Sequence, residues 1–191
     1  MPILDHFGLL APLYEKFIPP PSTVDWQTLL RLPIYGRVLD VAGGTGRVAQ
    51  LLVGSAGAVV VLDVSLRMLD EVRLKGSLHP AGGSGEQMPF ATGAFERILM
   101  VDAFHHLADQ RQCAAELWRV LQPGGRLVIE EPDIDTFAVK GIALGEKLLL
   151  MRSHFWRPEK IAGLFGGLAA EVRIVRKSGA AWIIVDRLGS V

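Results

Sequence analysis

The residues with most chemical content stand where apolar runs end. Val38-Leu-Asp-Val-Ala-Gly-Gly-Thr-Gly46 closes one such run with Gly43, Gly44 and Gly46. Glycine lets a backbone approach a ligand closely, and the start of a following helix offers N–H groups with no partner inside it. Asp63 ends the next apolar run, 17 positions after Gly46. A carboxylate there can accept hydrogen bonds from both hydroxyls of a ribose. Asp40, inside the end of the first run, is placed to orient the loop and, through water, an amino group. Together these features point to a nucleoside-containing cofactor without saying which. Farther on, His105 and His106 offer an imidazole with an ordinary pKa near ~6.5 as a general base. The alternative is that they cap or pack their loop and meet the cofactor through backbone. Glu130, Glu131, Asp133 and Asp135 form an acidic group. Several oxygens suit a hard cation, but the group reads as loop residues on a solvated rim, and no metal is expected.

Strands and helices must bring these groups together. Residues 37–42, 58–63, 95–101 and 126–130 are short apolar runs that read as buried strands. A weaker strand is expected within the Gly-rich segment 76–86. Helices are expected at 48–52, from a Ser65 cap through Val72, and over 109–121 up to Pro123-Gly124-Gly125. Further helices are expected over 135–152 and from Pro158 to Phe165. Residues 171–175 and 181–185 read as two strands joined at Ser178-Gly179, a hairpin signal. Ahead of these, Leu4, Phe7, Leu10, Leu13, Tyr14 and Phe17 recur at helical spacing until Pro19, Pro20 and Pro21 stop them. Ser22 or Thr23 then caps a short helix carrying Trp26, Leu29 and Leu30. Strands alternating with helices give an α/β fold. The expectation is a Rossmann-like, doubly wound, mostly parallel seven-stranded sheet. Helices lie on both faces, and a C-terminal hairpin strand runs antiparallel. Residues 1–35 form a helical lead-in or lid, and 36–191 form the cofactor-binding domain.

Composition narrows the partners. The chain has 191 residues, with 20 Lys+Arg balancing 20 Asp+Glu. A dedicated nucleic-acid binder is usually basic, so none is expected as partner. The one cysteine, Cys113, excludes an intrachain disulfide and a Cys-rich zinc site; it reads as a small buried apolar residue. The apolar stretches stop well short of the ~20 residues of a membrane span. The N-terminus lacks a basic segment followed by an apolar run. A cytoplasmic protein without stable membrane insertion is the expectation.

Gly44-Thr-Gly-Arg-Val-Ala49 satisfies the loose dinucleotide pattern, which alone is weak. Three other features favour S-adenosylmethionine (SAM). Asp40 stands before the glycines. Val64-Ser-Leu-Arg-Met68 offers apolar side chains to an adenine face. Glu86-Gln-Met-Pro-Phe90 supplies a second loop over it. The ordered set of these motifs with Leu121-Gln-Pro-Gly-Gly-Arg-Leu127 resembles the class I SAM-dependent methyltransferases, in particular the branch with the ubiquinone/menaquinone enzymes. The likeness covers about residues 35–131, with look-alike segments around Asp5-His-Phe and His154-Phe-Trp-Arg-Pro-Glu159. It implies SAM as cofactor, and a site of Asp40, Ala42, Gly43, Gly44, Gly46, Asp63, Val64, Met68, Ser84, Glu86, Gln87, Met88, Val101 and Asp102.

Three departures matter. Ala42 replaces the first glycine, as in quinone-type members. Ser84 stands where an acidic residue usually meets the adenine amino group. Val101-Asp-Ala-Phe-His-His-Leu107 lacks the Asn/Asp-Pro-Pro-aromatic signature of DNA and glutamine methylation, which shifts the acceptor to oxygen, carbon or a small amine. His154, Phe155 and Trp156 read as acceptor-pocket lining or as a helix-docking pair; Phe7 and Tyr14 read as a cofactor cover or as core. The expected activity is methyl transfer to a small-molecule acceptor. An NAD(P)-dependent oxidoreductase is the alternative, although neither Tyr14 nor Tyr35 has a lysine four positions on. A non-catalytic SAM-binding protein is the third reading.

Overall fold

The computed structural model describes residues 25–133 and 154–189. The helices expected over 4–17 and 135–152 lie outside the described residues, as do Phe7, Tyr14 and Asp135. The described chain begins with α1 (Trp26–Leu30), β1 (Arg37–Val41), a 3-10 turn (Ala49–Leu52), β2 (Ala58–Asp63), α2 (Leu66–Leu74) and β3 (His79–Gly82). It continues with β4 (Phe95–Val101), a second 3-10 turn (Phe104–His106), α3 (Gln110–Val120), β5 (Leu121–Pro132), α4 (Pro158–Ala162), β6 (Ala170–Lys177) and β7 (Ala180–Arg187).

Seven strands form one sheet in the order β3-β2-β1-β4-β5-β7-β6. β1 to β5 pair in parallel, and β7 runs antiparallel to both neighbours. The chain winds outward from β1 to β3, then returns to lay β4 on the other side of β1. The switch point therefore lies between β1 and β4, where open α/β sheets bind ligands beyond their carboxyl ends.

Side chains of a strand point alternately to opposite faces. Leu39, Ile98, Met100, Leu127, Ile129 and Ile183 accordingly enter one core. Their neighbours Val38, Leu99, Val128 and Ile184 enter the other. Both faces are covered, which is why these strands read as continuous apolar runs. On the first face, Cys113, Leu117 and Val120 of α3 and Ile161 of α4 pack down. On the second, Trp26 and Leu30 of α1, Leu52, and Leu69 and Val72 of α2 do so. Arg126 of β5 and Arg97 of β4 donate to the carbonyls of Leu29 and Leu30 at 2.9 and 2.6 Å, fastening α1 to the sheet.

Four local expectations are corrected. Asp25, rather than Ser22 or Thr23, caps α1, accepting from the Thr28 N–H at 3.1 Å. The helix expected at 48–52 is only a 3-10 turn, because Gly54 at φ 83° turns the chain back towards β2. Helix α4 ends at Ala162, short of Phe165, and the chain passes into turns at Gly163. β5 begins at Leu121 and runs to Pro132, longer than the expected 126–130. Leu121 already pairs with Phe95, and a register shift absorbs Pro123, which has no N–H for the ladder.

Candidate functional site

The glycine loop follows β1 directly. Ala42 takes φ 54°, and Gly44 and Gly46 take 56° and 75°. Left-handed backbone of this kind suits glycine and strains alanine. Gly43 is required for space. A Cβ there would lie 2.6 Å from the Asp40 carboxyl and 2.9 Å from Val61. Asp40 is thus pressed under the loop on the same face as Val38, 1% exposed, and its Oδ2 has no hydrogen-bond partner among the described residues. Burial pushes its pKa up to about 7, with the charge of Asp63 adding and the Ala49 N–H and Arg47 opposing.

Asp63 braces the loop from the end of β2. Its Oδ2 accepts from the Gly44 N–H at 2.9 Å and its Oδ1 from the Ser65 N–H at 2.8 Å. Next to it, Val64 and Leu66 are 73% and 65% exposed, an apolar rim beside the carboxylate. Met68, expected on an adenine face, is buried beneath Gly44.

The second loop is held from below. Ser84 donates its hydroxyl to Glu86 Oε2 at 3.0 Å, and the Asp109 N–H donates to Glu86 Oε1 at 2.7 Å. Gln87 is exposed, and its N–H donates to the Ser84 carbonyl. Met88, also expected against the cofactor, is a core residue. Its N–H donates to Glu116 Oε2 at 2.7 Å, and Arg119 donates to the carbonyls of Phe90 and Met88 at 2.7 and 3.1 Å. Arg119 and Glu116 also pair, which holds the Glu116 carboxyl below its ordinary pKa against its partial burial.

At the switch point, the Asp102 N–H donates to the Glu130 carbonyl at 2.9 Å, and Asp102 takes φ 53°. His105 is 1% exposed. Its Nδ1 lies 2.7 Å from Glu131 Oε2, and Glu131 Oε1 accepts from the Phe104 N–H at 2.8 Å. His105 stacks on Phe155, with centroids 4.2 Å apart, and touches His106 at 4.0 Å. Trp156 packs edge-on to Phe104, and the Lys160 Nζ lies 3.4 Å from the Trp156 ring centroid.

The solvated rim expected of the acidic group is corrected. Glu131 and Asp133 are 2% and 5% exposed. Glu131 faces His105, Asp133 pairs with Arg176 at 3.1 Å, and Glu130 Oε2 accepts from the Trp182 indole at 2.8 Å. Because β5 continues past Glu130, strand alternation carries Glu131 to the buried face of Leu127 and Ile129. The motifs single out neither Glu116 nor Arg119, nor the pairing role of Glu131. A signal for Glu116 exists: it falls on the same helical stripe as Cys113, Leu117 and Val120.

The sequence and fold have relatives. Residues 39–129 match the family model described as a methyltransferase domain. The ubiquinone/menaquinone biosynthesis C-methyltransferase UbiE of Haemophilus ducreyi is 32% identical over 105 residues, 50% of this chain and 40% of that protein. The demethylmenaquinone methyltransferase of Deinococcus radiodurans is 39% identical over 102 residues, 50% of this chain and 42% of that protein. The chain thus spans less than half the length of these curated relatives. A SAM-dependent methyltransferase structure from Thermotoga maritima superposes with a TM-score of 0.73 at 20% identity, covering 95% of this chain and 97% of that one, which bears on the fold alone. Glycine loop, bracing carboxylate and sheet order agree with these likenesses: over residues 39–129 the chain is similar to a methyltransferase domain, and it resembles the class I SAM-dependent methyltransferases of the ubiquinone/menaquinone kind.

Proposed function

We propose that this chain binds SAM at the glycine loop and transfers its methyl group to an oxygen or carbon of a small molecule. The main support is Asp40 Oδ2, a buried carboxylate oxygen directly beneath Gly43 with no partner among the described residues. Such a group is costly unless a ligand satisfies it. The ammonium of a methionine moiety, directly or through water, is a fitting partner. Asp63 would hold the ribose: a carboxylate accepts about four hydrogen bonds, so it can brace the loop and still serve the hydroxyls. Val64, beside Leu66, offers adenine an apolar face. Backbone at Ala42, Gly43, Gly44, Gly46, Ser84, Gln87, Val101 and Asp102 surrounds the remainder. Met68, Glu86 and Met88 act by shaping these loops.

Bound SAM supplies an activated methyl group. The chain positions the acceptor against it, which accounts for much of the catalysis. His105 and His106 are the proposed bases where the acceptor must lose a proton. Residues 1–35 serve as a lead-in to the 36–191 domain, and the setting is cytoplasmic. No helix among the described residues is long and apolar enough to cross a membrane. Calorimetry with S-adenosylhomocysteine (SAH), the demethylated product, tests the cofactor. Binding in the micromolar range is expected; no binding of SAH with tight binding of NAD overturns the reading.

A further inference from the structure

Resting on that cofactor reading, we infer that Glu131 fixes the tautomer of His105 and makes His105 the group that takes a proton from the methyl acceptor. The two side chains meet at the carboxyl ends of β4 and β5, and β4 is the strand beside β1, whose carboxyl end leads into the glycine loop. With Oε2 2.7 Å from Nδ1, the ionised carboxylate is satisfied when Nδ1 carries the proton and donates. Nε2 is then the basic nitrogen.

The ring has little freedom to turn. Phe155 stacks on it with an interplanar angle of 15°. The His154 N–H donates to the His105 carbonyl at 2.7 Å. Gln110 donates to the carbonyls of Phe104 and His154 at 2.9 and 2.8 Å, tying both sides of the ring together. Glu131 holds the loop backbone with its other oxygen. A carboxylate and an imidazole at 2% and 1% exposure are a poor way to build a core, since apolar residues of similar size stabilise as well or better. A held tautomer with excluded bulk water is what proton transfer needs. Burial raises the Glu131 pKa, the charge of Asp102 adds to this, and the His105 hydrogen bond opposes it. Among the described residues, Glu130, His106 and His154 are further titratable groups close by.

In the step, the acceptor's X–H bond breaks and its proton passes to Nε2. The electron pair left on X forms the bond to the methyl carbon. The carbon–sulfur bond breaks, and its pair stays on sulfur, which becomes a neutral thioether. The proton then leaves His105 for solvent. His105 is the catalytic residue, and Glu131 is a positioning residue acting through it.

The test uses the full chain, with Glu131→Gln, Glu131→Asp and His105→Asn. Nitrogen-15 NMR of the imidazoles should show His105 protonated at Nδ1 in the wild type and a mixed tautomer in Glu131→Gln. Transfer from tritiated SAM to 1,4-dihydroxynaphthalene is then followed from about pH 6 to about pH 9. Glu131→Gln and His105→Asn should lower kcat by about 100-fold or more, with KM for SAM and SAH affinity within about two-fold. Glu131→Gln should also move the rising limb of the pH profile, and Glu131→Asp should recover part of the loss. Protonation at Nε2 in the wild type overturns the inference, and so does a Glu131→Gln kcat within about three-fold of wild type. So does a wild type that binds SAH yet leaves the diol unmethylated. A wild type that binds no SAH overturns the cofactor reading itself, and this inference with it.

Discussion

Asp40→Asn should change how stability depends on pH, and by a large amount. In the fold the Asp40 carboxyl stays protonated up to about pH 7, whereas in the unfolded chain it ionises near 3.8. Between those values the folded state holds a proton that the unfolded state has lost, so stability falls as pH rises through this window. The rise of about 3 units at about 1.36 kcal/mol each corresponds to roughly 4 kcal/mol lost between pH 4 and pH 8. In a domain of this size that is about 8–16 °C in Tm. The asparagine amide brings its own cost of about 1–3 kcal/mol for an unsatisfied buried group. That cost does not depend on pH, so the difference between wild type and variant isolates the carboxyl. Urea unfolding of both proteins without ligand, at pH 4 to pH 8, gives the two curves. The gap between them should move in favour of Asp40→Asn by roughly 4 kcal/mol across that range. SAH should protect the wild type more than the variant, because a bound ammonium stabilises the ionised carboxylate. Parallel stability curves would mean that burial does not perturb the Asp40 carboxyl, and the strongest support for a cationic group beneath Gly43 would go with it.

Asp63→Ala should weaken SAH binding by at least ~2 kcal/mol, from two charge-assisted hydrogen bonds; an unchanged dissociation constant by calorimetry would remove Asp63 from the site. Ala42→Gly should raise stability by about 0.5–1 kcal/mol, since relief at φ 54° exceeds the glycine's extra unfolded entropy; a lower urea midpoint would contradict this. Glu116→Ala should cost about 2–3 kcal/mol, leaving the Met88 N–H and Arg119 without their carboxylate. Because the Glu116 pKa is lowered in the fold, its contribution is present above the ordinary glutamate pKa and fades as pH falls through the lowered value. The wild type and Glu116→Ala stability curves should therefore converge in acid, and a constant gap down to pH 2 would count against the pairing.

Much of the fold and part of the site are legible in the sequence. The short apolar run 37–42 and the glycine loop locate the carboxyl end of β1, and Asp63 falls where β2 ends. The His105-His106 pair stands out as chemical by residue type alone, yet no motif names its partner. Glu131 stands one residue past the expected end of β5, and a strand that stops there leaves it on a rim. Extending the same alternation from Leu127 and Ile129 puts it in the core, so the error is one of strand length. Met68 and Met88 read as cofactor contacts because they sit in the right motifs. A motif places a segment, but which of its side chains turns inward depends on the element beneath it.

The class of fold, the glycine loop at the end of β1 and Asp63 at the end of β2 follow from local sequence, whereas the length of β5 does not. They rest on periodicity along the chain and on glycine's backbone freedom, which neighbouring residues specify. Packing in three dimensions brings His105 to Glu131 across 26 positions and holds Met88 by Glu116 across 28. It also leaves Asp40 with an oxygen that no other described group reaches. Those contacts depend on which strands lie side by side, and sheet order is set by the joint burial of two cores, not by any one segment.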